Sequence, residues 1–174
     1  MERPDPHAGL VLLVLRAQTG DRQALDRLLR DHQAALYRHI RTIARDGDLA
    51  LDALQNSLLL IARRLTSLRD PRWFKAWAYR IATREAVRTA KREARVHAFE
   101  DEAAPEADGP IDAALPEECL HRLAELPPAA QIVVRLHYLE EMTFVEVAEA
   151  LEIPVGTVKS RLAYGLARLR ASMA

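Results

Sequence analysis

Between positions 70 and 95 the sequence sets four aromatic residues, Trp73, Phe74, Trp77 and Tyr79, ahead of six basic ones, Arg80, Arg84, Arg88, Lys91, Arg92 and Arg95. Guanidinium groups bind phosphate oxygens, and aromatic rings give unpaired bases a stacking platform. Wound into a helix at ~100° per residue, Trp73, Trp77, Arg84, Arg88 and Arg95 fall within roughly 60° of one another, with Arg80 and Lys91 beside them. The spacing therefore predicts an arginine stripe that continues an aromatic patch, a surface suited to single-stranded nucleic acid. The competing reading makes Trp73, Phe74 and Trp77 core residues and the arginines mere solubilising groups.

A second set of donors lies near the end of the chain. Thr143 and Glu146 have the spacing of a capping box and open a short helix to Leu151. Glu152-Ile153-Pro154 makes a turn, and a longer helix continues from Val155 to about Ala171 with Val155, Val158, Leu162, Leu166 and Leu169 on its inner face. Short helix, tight turn, longer helix is the helix-turn-helix layout, whose second helix enters the major groove. Thr157, Lys159, Ser160, Arg161 and Arg168 are expected to point outward toward base edges and phosphates, and Ala148 to leave room for the helix crossing.

The elements that must position these groups are all helical. Hydrophobic residues make up 49% of the 174 residues and aromatic ones only 5%, a balance that favours helices over sheets. Ala8 to Leu15 is apolar but far shorter than the ~20 residues that span a bilayer, so it is expected to be a buried first helix stopping near Thr19-Gly20. With no membrane insertion and no targeting pattern, a cytoplasmic location is expected. Asp21 is placed to cap a second helix carrying Leu25, Leu28, Leu29, Leu36 and Ile40. A third helix, over about 48–68, carries an inward seam of Leu51, Leu54, Leu58, Ile61, Leu65 and Leu68, with Leu59 and Leu60 outside it. Asp52, Gln55, Asn56 and Arg63 share the adjoining polar face. Asp70 and Pro71 start the fourth helix, over about 71–95.

The net charge is zero, but its distribution divides the chain. Residues 1–95 hold 19 basic side chains against 11 acidic, residues 96–127 hold one against nine, and residues 128–174 hold five of each. This predicts a basic module over 1–95, a flexible acidic linker over 96–115, and a C-terminal module over 116–174, with a short helix resuming near 111–125. The linker either screens the arginine stripe or serves as a solvated spacer. Nothing in the pattern points to an enzyme. There is no glycine-rich phosphate cradle, HExxH motif or catalytic triad, and no cofactor is implied. His97, Cys119 and His121 flank the linker and are candidate zinc ligands; they are read as ordinary residues, and no metal site is expected.

Three segments, in this order, resemble the sigma factors of bacterial RNA polymerase, of the short extracytoplasmic-function group within the sigma-70 family. They are DALQNSLL (52–59), WFKAWAYRIA (73–82) and LPPAAQIVVRLHYLEEMTFVEVAEALEIPVGTVKSRLAYGLARLR (126–170). The resemblance implies an all-α protein, with a helical bundle called region 2 and a helix-turn-helix region 4. It implies that Asp52, Gln55, Asn56, Leu59 and Arg63 dock on the clamp helices of core polymerase, with the polymerase flap as a further contact. It implies that the turn from Ser67, with Arg72, Trp73, Lys75, Trp77, Arg80, Arg84, Arg88 and Lys91, captures the melted minus-ten element. Thr157, Lys159, Ser160, Arg161 and Arg168 would then read the minus-thirty-five duplex. An anti-sigma factor is a further partner that the family implies. Three departures stand out: Asn56 replaces a common Glu, Arg84 and Arg88 stand where Asn or Asp is frequent, and Glu152 replaces a turn Gly. The alternative function is a helix-turn-helix regulator that acts on duplex DNA without core polymerase, which would leave the arginine stripe and the third helix unused.

Overall fold

The computed structural model describes residues 6–92 and 122–173. The chain divides into two compact units, Met1–Ala94 and Arg95–Ala174, and the described residues of both are helical, without strands. The acidic segment 96–115, Arg95, His97, Cys119 and His121 lie outside the described residues, as does most of the helix expected over 111–125. Of that helix the described part is a single 3-10 turn, Leu123–Glu125.

In the first unit, α1 (Pro6–Gln18) ends at Gly20, whose φ of 95° lets the amide of Asp21 reach back to the carbonyl of Arg16 at 3.1 Å. Asp21 then caps α2 (Arg22–Ile43) by accepting from the amide of Ala24 at 3.0 Å. Asp46 caps α3 (Gly47–Arg64) in the same way, accepting from the amides of Asp48 and Leu49. Two 3-10 turns, Leu65–Ser67 and Pro71–Trp73, lead into α4 (Phe74–Arg92), so the regular helices stop and start one turn short of the expected 68 and 71.

Two expectations need correction. The first helix is not buried throughout: Val14 and Ala17 are, whereas Leu12 and Leu15 are 60% and 44% exposed. The seam of α3 is also rotated. Leu51 is exposed and Leu54 and Leu58 are half-buried, while Ala50, Ala53, Ser57 and Ile61 face the core. Both sets repeat at helical spacing, so periodicity alone does not separate them. The small set wins because α4 brings Ala76, Ala78, Ala82, Ala86 and Ala90 into the core, and small residues on both helices permit a close backbone approach. Leu65 and Leu68 are buried as expected.

In the second unit, α5 (Pro128–Tyr138), α6 (Phe144–Leu151) and α7 (Val155–Met173) enclose a core of Ile132, Val133, Val134, Leu136, Val147, Val158, Leu162, Leu166 and Leu169. The capping box at Thr143 and Glu146 is formed in both directions. Glu152 occupies the left-handed region (φ 57°, ψ 42°) between α6 and α7, a conformation costing a side-chain-bearing residue about 1 kcal/mol that glycine would not incur. The turn keeps its geometry, because the amide of Ile153 still bonds the carbonyl of Ala148 at 3.1 Å.

Gly165 sets the packing of α7 on α5. A Cβ at this position would lie 2.9 Å from Val134 Cγ2, 3.5 Å from Leu126 Cδ1 and 3.6 Å from Ala130 Cβ. Alanine gains about 1 kcal/mol of helix propensity, but overpacking a closed core typically costs 1–3 kcal/mol, roughly. Gly165→Ala should therefore lower the unfolding free energy by about 1 kcal/mol in denaturant titration, and Val134→Ala added to it should recover part of that loss. A stabilised Gly165→Ala protein would mean that the two helices separate without cost.

Candidate nucleic-acid interface

α4 buries most of its circumference. Phe74, Tyr79, Ala82, Thr83, Glu85, Ala86 and Thr89 are all at least nine-tenths buried. The face left open is the predicted stripe: Trp73 is 38% exposed, Trp77 and Arg80 are half-buried, and Arg84, Arg88 and Lys91 are exposed. The aromatic residues thus divide, with Phe74 and Tyr79 in the core and Trp73 and Trp77 on the surface. Phe74 meets His32 edge-on at 5.1 Å and Tyr79 meets His39 the same way at 5.1 Å, so the core members are fixed by α2. Lys75 is set apart from this surface, because two residues before Trp77 lies across the helix, about 160° away.

The turn ahead of the stripe is held by Asp70. Its carboxylate accepts the amide of Arg72 at 3.0 Å and grips the Arg72 guanidinium through Nε and, at 2.7 Å, a terminal nitrogen. These bonds, the guanidinium first, hold the Asp70 carboxyl below its ordinary value of 3.8 and raise Arg72 in return. Farther along, Arg88 is ion-paired with Glu85, which is buried while Arg88 remains open to solvent. Glu85 is absent from the sequence-based set of site residues, although an acid three residues before Arg88 is a legible helical pair.

On α3, Asp52, Gln55, Leu59 and Arg63 are exposed and Asn56 is half-buried, and these five residues share one side of the helix with exposed Leu51 and Asp48. Leu51 and Leu59, 46% and 47% exposed, give this otherwise polar face an apolar component. Such a face is suited to helices of another protein.

In the second unit the donors of α7 depart in part from the expected arrangement. Arg161 is only 6% exposed: it lies one helical turn from Val158 and Gly165, on the edge that packs inward, so it is not an outward donor. Thr157, Tyr164 and Arg168 lie within about 40° of one another, with Ser160 beside them, and form one outer face. Ser160 donates to the carbonyl of Thr157 at 3.1 Å, and the Arg168 guanidinium stacks 5.9 Å from the Tyr164 ring. Lys159 leaves the opposite side of the helix, where its ammonium sits 5.8 Å from the centre of the Phe144 ring. Tyr164 precedes Arg168 by one turn and is legible in sequence; the Phe144 contact joins two helices and is not.

An aromatic and basic helix face in one unit and a helix-turn-helix in another define a DNA-binding protein of transcription. Comparison with known proteins gives the particular family. Residues 28–96 match the family described as Sigma-70 region 2, and residues 122–171 match Sigma-70, region 4, so the two matches take in more than half the chain. The chain is 27% identical over 141 residues to RNA polymerase sigma factor SigV of Bacillus subtilis, covering 80% of this chain and 85% of that relative. It is 29% identical over 167 residues to the ECF RNA polymerase sigma-E factor of Salmonella typhimurium, covering 87% of both chains. Among solved structures, CnrH in complex with the cytosolic domain of CnrY has the same fold, at a TM-score of 0.62 and 24% identity over 94% of this chain and 96% of that one. The chain belongs to the sigma-70 family, in its extracytoplasmic-function group, and is a sigma factor that directs RNA polymerase to promoters. No helix among the described residues is long and apolar enough to cross a membrane.

The Asp70 grip generates a pH dependence. A carboxyl whose folded-state value is depressed contributes stability that is full above the ordinary value of 3.8 and is lost as pH falls through the depressed one. Asp21 behaves alike, its carboxyl lowered by the Ala24 amide and then by Arg16. The melting temperature should fall as pH is lowered from about 5 toward 3. Asp70→Asn, which keeps a capping oxygen but cannot titrate, should show a shallower fall when monitored by circular dichroism. An identical pH profile would mean that the Asp70 pair adds nothing to the fold.

Proposed function

We propose that residues 1–95 act as region 2, residues 96–115 as the connecting segment and residues 116–174 as region 4 of this sigma factor, each with its own partner. Asp52, Gln55, Asn56, Leu59 and Arg63 on α3 dock on the clamp helices of core polymerase, and the second unit meets the flap. Arg72, Trp73, Trp77, Arg80, Arg84, Arg88 and Lys91 take the melted minus-ten strand, whereas Lys75 lies across the helix from them and is left out of this set. Thr157, Lys159, Ser160 and Arg168 contact the minus-thirty-five duplex. The chain breaks no substrate bond: it binds, positions and traps, and it acts in the cytoplasm beside the polymerase.

The observation that carries this reading is the division of labour on α4. Most of its circumference is spent on core packing, and the most open part is a stripe that runs from two indole rings to four cations. Unstacking a base costs a few kcal/mol, and stacking on an aromatic side chain returns about 1–3 kcal/mol per base. Trp73 and Trp77 are sited to supply that return, and the cations beside them neutralise the strand's phosphates. A regulator working without polymerase has no use for such a stripe. The solved complex of CnrH with the cytosolic domain of CnrY supports a regulatory protein partner for this chain too, of the anti-sigma kind that the family implies.

Run-off transcription with core polymerase on a genomic promoter library tests the reading: defined transcripts should depend on both core and this chain, whereas duplex binding by the chain alone that is as tight as with core would favour the independent regulator. Within that assay, Asp52→Arg should weaken binding to core polymerase while leaving thermal stability within about 0.5 kcal/mol, because Asp52 is exposed. Unaltered binding of Asp52→Arg would remove α3 from the docking surface.

A further inference from the structure

α1 lies ahead of the segment that matches region 2. It lies against α2 and against the two 3-10 turns, Leu65–Ser67 and Pro71–Trp73, that precede α4. At its last residue the Gln18 side chain crosses to the first of these turns. Its amide nitrogen donates to the carbonyl of Leu65 at 2.9 Å and to the carbonyl of Leu68 at 2.8 Å, partners 47 and 50 residues away. These carbonyls stand at the start and just past the end of the 3-10 turn that follows α3. The amide of Leu68 bonds the carbonyl of Leu65 at 3.1 Å, so one side chain ties off both ends of that hydrogen-bonded turn.

The turn in its place governs the residues after it. Two positions beyond Leu68 stands Asp70, which fixes Arg72, and the amide of Trp73 bonds the carbonyl of Asp70 at 3.0 Å. Arg72 and Trp73 therefore take their positions from a short, exposed stretch anchored on one side by Asp70 and on the other by Gln18. α1 is itself held in place behind the turn, since Gly20 closes it and Arg16 pairs with Asp21 at 2.7 Å.

We propose that α1 is the buttress of the turn that captures the melted minus-ten strand, and that Gln18 is the positioning residue through which it acts. This rests on the reading of Arg72 and Trp73 as strand-capturing residues. Gln18 touches no nucleic acid: it fixes the backbone of 65–68, which aims Arg72 and Trp73. A turn so fixed before DNA arrives does not have to be ordered on binding, and the gain goes to the strand that fits it.

The test uses holoenzyme assembled from the full chain and core polymerase. It compares affinity for a fluorescent single-stranded minus-ten oligonucleotide, taken from a promoter selected by run-off transcription, with affinity for its scrambled counterpart. Gln18→Met keeps length and loses both donors, whereas Gln18→Lys restores donors to the two carbonyls. Gln18→Met should cut discrimination between cognate and scrambled strands about ten-fold, the scale of two lost hydrogen bonds, with core binding and minus-thirty-five duplex binding unchanged. Gln18→Lys should recover it to within about two-fold. Gln18→Ala serves the same comparison if the Met variant does not fold. Unchanged discrimination in Gln18→Met, beside a collapse in Trp73→Ala, would overturn the buttress and leave the reading of the turn intact. Unchanged discrimination in both would overturn the two together. Equal loss on cognate and scrambled strands, or a loss that Lys does not restore, would reduce Gln18 to a general structural role and refute the proposal.

Discussion

The close contact of α3 with α4 is the constraint on which the first unit depends. Ala50, Ala53 and Ser57 on one helix and the alanines of the other bring the two backbones together, and Ile61, Phe74 and Tyr79 fill the space around them. Because the seam uses small residues, each helix has long side chains to spare for an outward face. α3 turns out Asp52, Gln55, Leu59 and Arg63, and α4 with the turn before it turns out Trp73, Trp77 and the basic stripe. The surface proposed for polymerase and the surface proposed for the melted strand thus stand on adjacent, directly packed helices. A shift of one is felt by the other, because interiors packed at crystal density have little slack.

How much of this is legible in the sequence depends on what each pattern can distinguish. The caps at Asp21, Asp70 and Thr143 are local devices, and each is present as its residue types require. The stripe on α4 is legible because aromatic and basic residues are chemically distinct from the alanines between them. The seam of α3 is not, because two sets of residues repeat at the same spacing one position apart, and the choice between them is made by α4 rather than by α3. Arg161 misleads for a related reason. Its charge points to the surface, yet it lies about 40° from Gly165 and 60° from Val158 on the helix, at the edge of the packed face, and is 6% exposed. Gln18 cannot be found in the sequence at all, since its partners are backbone carbonyls 47 and 50 residues away.

The second unit solves the same packing problem by another means. Gly165 lets α7 approach α5 closely enough for Val134, Leu126 and Ala130 to surround it, and Glu152 accepts a left-handed backbone so that α6 can turn into α7. Both are local concessions, one in helix propensity and one in backbone strain, made where they fix the helix proposed to meet duplex DNA. The outer face of α7 is their result: Thr157, Ser160 and Arg168 on one side, and Lys159 over Phe144 on the other.

The division of outward faces between α3 and α4 is the central claim, and site-specific photocrosslinking in the promoter complex tests it most directly. A photoreactive residue in place of Leu59 should crosslink to polymerase and not to DNA. One in place of Arg84 should crosslink to the non-template strand of the melted element and not to polymerase. Crosslinking of both positions to the same partner would contradict the account.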